Sequence, residues 1–66
     1  MRGKFNIGDI IIYGADRRFK VVDNHEQYFL YDFISKIERS GYMIETIDSC
    51  CILDENATIL DRLSEN

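Results

Sequence analysis

The feature that most constrains the fold of this chain is a set of short segments in which apolar residues recur with a period of two. Turn residues separate these segments. Glycine or polar residues interrupt the alternation at Gly8 and Asp9, at residues 14–18 and at residues 23–26. Successive side chains of a strand point to opposite faces, so this alternation is typical of half-buried strands. The pattern predicts a small antiparallel all-β protein.

The pattern assigns four strands. Gly8 tolerates the backbone angles of a bend within the first of them. Asp9 is expected to accept a hydrogen bond from the backbone of that turn. The strands are predicted at residues 5–13, 19–22, about 27–37 and 42–47.

Residues 35–41 are open to two interpretations. Ser35 and Glu38 have the spacing of a helix capping box. Alternatively, the chain turns a hairpin at residues 38–41, with Gly41 in the left-handed conformation. Strand-forming residues on both sides favour the hairpin.

The C-terminal segment also allows two structures. Ile59, Leu60 and Leu63 have helical spacing, whereas a strand at residues 57–63 would cover an edge of the sheet. We favour the strand, which would be the fifth.

The run Phe5-Asn6-Ile7-Gly8-Asp9-Ile10-Ile11 resembles the opening of many small SH3-like barrels in bacterial and phage proteins. The Phe-Lys-Val segment at residues 19–21 and the Tyr-Phe-Leu segment at residues 28–30 fit the same order. The resemblance covers nearly the whole chain. It implies a single domain, residues 1–66, that is a five-stranded antiparallel SH3-like barrel. It also implies a short 3₁₀ turn at residues 48–53 before the last strand.

The resemblance implies binding rather than catalysis. In proteins of this class the barrel serves as an adaptor for peptides, RNA or other proteins. No serine stands beside a base in the sequence, and no glycine loop could hold a phosphate. We therefore expect a non-catalytic adaptor or inhibitor. The resemblance and the small size favour an origin in a phage or another mobile element.

The chain length limits the core. A domain as small as these 66 residues buries only about 60% of the surface that the unfolded chain exposes. Small domains usually need disulfides, a metal or a partner subunit in addition, which here favours a protein partner or self-association.

The longest apolar run is far shorter than the ~20 residues of a membrane span, and no signal-peptide pattern is present. We therefore expect a cytoplasmic protein without a membrane partner.

The adjacent residues Cys50 and Cys51 form the one stretch that resembles a chemical site. Consecutive Cα atoms are about 3.8 Å apart, which is less than an ordinary disulfide requires. A zinc site needs about four ligands, but the single histidine, His25, lies in a distant turn. Acidic neighbours would raise the pKa of either thiol. We expect one buried and one exposed cysteine, with no metal and no cofactor.

Apolar side chains beyond the needs of the core form a first candidate site. If Tyr28 and Leu30 face the core, then Phe29, Tyr31 and Phe33 form a stripe on the other face of the same strand. A contiguous exposed patch of this kind marks an interface, unless the sheet curls or the tail folds back so that both faces are covered. The candidate protein-interface residues are Ile10, Ile12, Val22, Phe29, Tyr31 and Phe33.

A basic loop forms a second candidate site. Residues 1–20 sum to a charge of +3 and the remaining residues to −7, which gives the net charge of −4. Cations beside aromatic rings can hold single-stranded nucleic acid, although an acidic surface disfavours non-specific binding. As a third possibility, an inhibitor could mimic nucleic acid if the ten carboxylates after Val22 gathered on one face. The candidate nucleic-acid residues are Tyr13, Arg17, Arg18, Phe19 and Lys20.

Overall fold

The computed structural model describes residues 3–58 of the chain. These residues form one sheet in the order β4-β3-β2-β1-β5, in which all neighbouring strands are antiparallel. The elements are β1 (Ile10–Tyr13), β2 (Arg17–Asn24), β3 (Gln27–Asp32), β4 (Ile37–Met43), α1 (Ile44–Cys50) and β5 (Cys51–Leu53). The predicted antiparallel β architecture of five strands is confirmed, with one short helix in addition. The described sheet is open, so its closure into a barrel is not confirmed.

The two turns predicted near the start of the sheet are present. Gly8 has a φ of +96°, and the Asp9 carboxylate accepts a hydrogen bond of 2.9 Å from the Asn6 N–H. The β2–β3 connection lies at His25 and Glu26, and both side chains are exposed. These positions confirm the predicted bend and the predicted polar turn. The first strand is shorter than predicted, because residues 5–9 are not in a strand and β1 begins at Ile10. The second is longer than the predicted residues 19–22.

The β3–β4 hairpin is confirmed, but its turn lies at residues 33–36 rather than at residues 38–41. β3 therefore ends at Asp32 and not near residue 37. Lys36 takes the left-handed conformation, with a φ of +63°. The Asp32 carboxylate stabilises this turn because it accepts hydrogen bonds from backbone N–H groups within it. An aspartate that accepts hydrogen bonds from the backbone two residues on is a typical turn residue.

The strand predicted at residues 42–47 is wrong in its second half, where α1 begins at Ile44. Ile44 and Ile47 are three residues apart and so lie on the same face of a helix. Ile47 is buried in the core, and Ile44 packs against it. Burial of this apolar pair outweighs the strand preference of the β-branched side chains.

The segment after β4 differs from the predicted 3₁₀ turn. Residues 48–53 contain the end of α1 and the whole of β5, which pairs with β1 and supplies the fifth strand. The last strand was expected at residues 57–63. Residues 57 and 58 are not in a strand, and the rest of that segment lies outside the described residues. Between residues 3 and 58 no helix has the length and apolar character to cross a membrane.

α1 covers one face of the sheet, and the core lies between them. We call the opposite side of the sheet the outer face. Because side chains alternate along a strand, the residues between successive core positions of a strand point to the outer face. The core side chains are Phe5, Ile11, Phe19, Val21, Tyr28, Leu30, Ile47 and Cys51.

Two β-bulges flank Phe29 on the outer face. Between β2 and β3 the register shifts at Val22, which is the extra residue. Between β3 and β4 it shifts beside Phe29, where Gly41 has a φ of +92°. Bulges increase the local twist of a sheet, so the sheet is expected to twist more strongly beside this aromatic residue.

The N-terminal segment crosses the core and is fixed by Tyr28. The Tyr28 hydroxyl donates to the Asp48 carboxylate in α1 (2.6 Å) and accepts from the Phe5 N–H (3.2 Å). The Asn24 side-chain amide donates to the Phe5 carbonyl. A Cβ atom at Gly3 would lie 2.0 Å from the Tyr28 hydroxyl oxygen. Only glycine therefore fits where the segment passes over this ring.

Candidate protein-interaction face

Three aromatic residues of the candidate interface follow one another along the outer face. Phe29 is 38% exposed and Phe33 36% exposed, with the half-buried Tyr31 between them. The rings of Tyr31 and Phe33 meet edge to face, with centroids 5.2 Å apart and an interplanar angle of 86°. This is a favourable aromatic geometry. Each ring therefore restrains the other.

Arg18 borders the aromatic residues from β2. Its guanidinium carbon lies 5.7 Å from the centroid of the Phe33 ring, within the range of a cation–π contact. One guanidinium nitrogen lies 2.9 Å from the carboxylate of the buried Asp54. The guanidinium is therefore held by a ring and by a carboxylate, and its charge is balanced within the chain.

A row of three side chains crosses the outer face from β2 to β4. Lys20 lies opposite Tyr31, and Tyr31 lies opposite Glu38. Directly opposed residues of antiparallel strands share one face. Lys20 and Tyr31 are half-buried, and Glu38 is exposed. The row thus carries a positive charge at one side, a ring in the middle and a negative charge at the other side.

The aliphatic residues of the predicted interface have different environments. Ile12 and Val22 are half-buried, whereas Ile10 is fully buried. Ile10 alternates with the core residue Ile11 along β1, so its side chain points away from the core. Its complete burial shows that the outer face is covered at this position. The prediction that Ile10 belongs to an exposed interface is therefore wrong.

Ile52 and Glu38 extend the outer face, and neither was a candidate from the sequence. Ile52 is 65% exposed and pairs with Ile12. Both placements depend on strand register, because the segment with Ile52 was expected to form a turn and Glu38 to belong to the hairpin loop. No local motif marks either residue as part of this face.

The predicted nucleic-acid residues are divided between the two faces. Arg18 and Lys20 lie on the outer face. Tyr13 and Arg17 are paired with each other on the side that α1 covers. Phe19 is buried in the core, where it is not available to stack on a base. The five residues therefore do not form one stacking surface.

Arg17 has a structural partner in Asp32. Its guanidinium lies 2.5 Å from the Asp32 carboxylate, which is buried. Burial alone would raise the pKa of the Asp32 carboxyl. The Ile34 N–H, the Arg17 guanidinium and Ser35 outweigh this effect and hold the pKa below its ordinary value. The charged carboxylate thus pairs Arg17 and stabilises the β3–β4 turn at the same time.

The two cysteines have opposite environments, as predicted: Cys50 is exposed and Cys51 is buried. Their sulfur atoms are 3.7 Å apart and both thiols are free. Burial, with a further contribution from the Cys50 thiol, raises the pKa of Cys51 to about 12. A thiol with such a pKa is a poor nucleophile at neutral pH. Within residues 3–58 no group of three or more His, Cys, Asp or Glu side chains is placed to hold a metal ion.

In comparisons with known proteins, no family model, no curated protein and no solved structure matches this chain with significance. Its function therefore has to be inferred from its own side chains.

Proposed function

We propose that this chain is a non-catalytic binding module that docks a protein on its outer face. The observation that carries the proposal is the contiguous set of Phe29, Tyr31 and Phe33 on the side of the sheet that α1 leaves uncovered. Single exposed apolar residues are ordinary, but a contiguous stripe marks an interaction site. Aromatic residues in particular are enriched at interface centres, where they bury a large area with few rotatable bonds.

Exposed aliphatic residues lengthen this surface. Ile12 and the more exposed Ile52 lie at its β1–β5 side. At the far end of β4, Met43 pairs with Gln27 and is largely exposed. The aromatic residues thus have exposed apolar side chains on either side of them, and Arg18 and Lys20 of β2 lie between the rings and the β1–β5 side.

The acidic side chains support an ordinary binding module better than a mimic of nucleic acid. Asp32, Asp48 and Asp54 each take part in an ion pair or hydrogen bond within the chain. Glu38 lies on the outer face, whereas Glu45 lies in α1 on the other side of the sheet. The carboxylates of the described residues are therefore distributed around the molecule.

We also propose that the sheet is of the SH3-like class. Its support is the strand order, in which β5 follows a short helix and pairs with β1, next to a meander of β2, β3 and β4. An adaptor role agrees with that class, in which the barrel serves as a scaffold for binding surfaces.

The double variant Tyr31→Ala/Phe33→Ala tests the proposed function. It removes the ordered pair of rings but leaves the core untouched, because both side chains lie on the outer face. We expect it to abolish binding, measured as the loss of dimer mass in analytical ultracentrifugation or as the loss of a protein captured from lysate by the immobilised chain.

A matched control is Ile7→Ala, which truncates an apolar side chain of high exposure away from the sheet. We expect this variant to bind as the unmodified protein does, and circular dichroism should show all three proteins folded. Equal binding by the double variant and the unmodified chain would contradict the proposal.

Binding of nucleic acid is the second candidate function. The observation in its favour is that Arg18 lies against Phe33 and that Lys20 lies opposite Tyr31, since cations beside stacking rings hold single strands. The net charge of −4 and the pairing of Arg18 with Asp54 weigh against it. Protein binding is therefore the function that the geometry supports best.

A further inference from the structure

We propose that Cys50 and Cys51 form a chelating dithiol site for a trivalent arsenical that carries one organic substituent. The site lies where α1 ends and β5 begins, and Cys51 belongs to the core between α1 and the sheet. It is therefore separate from the outer face, and the inference goes beyond the proposed function. The observation that carries it is the contact between the two sulfur atoms, which are 3.7 Å apart in free thiols.

The change from helix to strand brings the two sulfur atoms together. Neighbouring side chains of a regular strand point to opposite faces, so adjacent cysteines within a strand are poorly placed to bind one atom. Here Cys50 is the last residue of α1 and Cys51 is the first residue of β5, with extended backbone angles (φ −114°, ψ 153°). The Cys51 N–H donates to the Ile47 carbonyl, and Cys51 pairs with Tyr13 of β1. Both elements therefore hold the backbone that carries the two thiols.

The separation of the sulfur atoms matches the distance that a single thiophilic atom spans. Two sulfur ligands of a tetrahedral zinc ion, each ~2.3 Å from the metal, are about 3.8 Å apart. Arsenic–sulfur bonds are of similar length, so the 3.7 Å between the two thiols suits trivalent arsenic as well. One arsenic atom can thus bond to both sulfurs with little change in their positions.

The number of available ligands selects arsenic over a metal ion. A zinc ion in a protein takes about four ligands. Within residues 3–58 no group of three or more His, Cys, Asp or Glu side chains is placed to hold a metal ion. Trivalent arsenic with one organic substituent forms two further bonds. The two cysteine sulfurs satisfy both of these bonds, so the arsenical needs no third side chain.

The reaction is a condensation, in which nothing is oxidised or reduced. In water the arsenical carries two hydroxyl groups on arsenic. Each thiol forms a sulfur–arsenic bond, and its proton leaves with one hydroxyl group as water. Burial raises the pKa of Cys51 to about 12, but this thiol needs no separate ionisation, because its proton is transferred to the hydroxyl group that leaves.

The exposure of the two thiols sets the order of the two bonds. Cys50 is exposed and reacts first, whereas Cys51 is only 2% exposed. Once arsenic is bonded to Cys50, the second bond forms within the molecule, where the effective concentration of the Cys51 thiol is on the order of millimolar or higher. The chelate is therefore far more stable than the adduct of a single thiol.

Competition with glutathione tests the chelate. Phenylarsine oxide is added to the reduced chain, and the adduct is detected by native mass spectrometry. We expect one arsenical per chain that survives millimolar glutathione, because a monothiol competes poorly with an intramolecular second bond. Dithiothreitol, which offers two thiols, should release it. Cys50→Ser and Cys51→Ser should each weaken binding by about tenfold or more and lose the arsenical to glutathione.

Cys50→Ser is the decisive variant, because Cys50 is exposed and its substitution leaves the core intact. It still gives a test if Cys51→Ser, which alters a buried residue, lowers stability. The matched control is Ser49→Ala at the preceding exposed position, which should retain the arsenical as the unmodified chain does. Circular dichroism and urea denaturation, each with and without the arsenical, check that the proteins are folded.

Three outcomes would overturn the inference. The first is a Cys50→Ser variant that keeps the arsenical in glutathione. The second is an unmodified chain that loses it as readily as Cys50→Ser does. The third is an arsenical that lowers the urea midpoint of the unmodified chain, since a ligand that binds the unfolded chain better shifts the equilibrium away from the fold. The outer face takes no part in these measurements, so the proposed function is tested separately.

Discussion

Tyr28 connects three parts of the chain through one hydroxyl group. That hydroxyl donates to Asp48 and accepts from the Phe5 N–H, and the ring is fully buried. Tyr28→Phe would leave the Phe5 N–H buried without an acceptor, so we expect a loss of about 1–3 kcal/mol in the free energy of unfolding. Urea denaturation measures this loss.

The exposed Tyr13 provides the control for that variant. Tyr13 is 48% exposed, so Tyr13→Phe should change the free energy of unfolding by no more than about 0.5 kcal/mol. Equal effects of the two substitutions would show that the Tyr28 hydroxyl does not hold the N-terminal segment.

The same residue predicts how stability depends on pH in alkaline solution. Burial, followed by the hydrogen bond to Asp48, raises the pKa of Tyr28 from 10.0 to about 12. A raised pKa in the folded state stabilises the fold fully below the unfolded value, and this contribution is lost as pH rises through the folded value. The free energy of unfolding should therefore fall between pH 10 and about pH 12 more steeply for the unmodified chain than for Tyr28→Phe. Parallel curves for the two proteins would contradict the raised pKa.

Individual residues differ in how far their roles could be predicted. The roles of Asp9 and of the two cysteines followed from chemistry between near neighbours in the sequence. The burial of Ile10 did not, because it depends on what packs over the outer face of β1 in the folded chain and not on the residues next to it in the sequence. Predictions for single residues hold where the interacting groups are close in the sequence and fail where the register of distant strands decides.

At the scale of the elements, the bulge in β4 depends on Gly41. Its φ of +92° is in the left-handed region, and an added Cβ would meet no atom within 4 Å. The cost of Gly41→Ala is therefore a backbone cost alone, which we expect to be about 1–2 kcal/mol. Thermal and urea denaturation should show this loss, whereas Ser40→Ala at the neighbouring position should be nearly neutral. Equal stability of both variants would mean that β4 can abandon the bulge.

The β3–β4 turn and α1 were mispredicted because the interactions that stabilise them are not marked by a local sequence pattern. Residues 33–36 contain no glycine, proline or asparagine, so nothing in the loop itself marks the turn; the signal lies in Asp32 just before it. The run that begins at Ile44 contains too few residues to separate a period of two from a helical period. Its helix is stabilised by the burial of Ile47, which only the folded core provides.

At the scale of the whole molecule, the distribution of charge decides between the two candidate functions. Arg17 and Arg18 are paired with Asp32 and Asp54, so a phosphate would have to displace a carboxylate from either one. The net charge of −4 adds a general repulsion, since non-specific affinity for nucleic acid comes mainly from neutralised phosphates. The aromatic residues of the outer face are thus better suited to an apolar protein surface than to a strand of nucleotides.

We accordingly expect no binding of fluorescein-labelled single-stranded DNA or RNA at physiological salt, measured by fluorescence anisotropy. Lowering the ionic strength is the stringent condition, because the attraction of any exposed cation for phosphate is strongest there. Salt-sensitive binding that disappears in Arg18→Glu and in Tyr31→Ala/Phe33→Ala would overturn this expectation, and it would assign the outer face to nucleic acid. Binding that survives both variants would locate the contact elsewhere, since neither the rings nor the cation beside them would then be required.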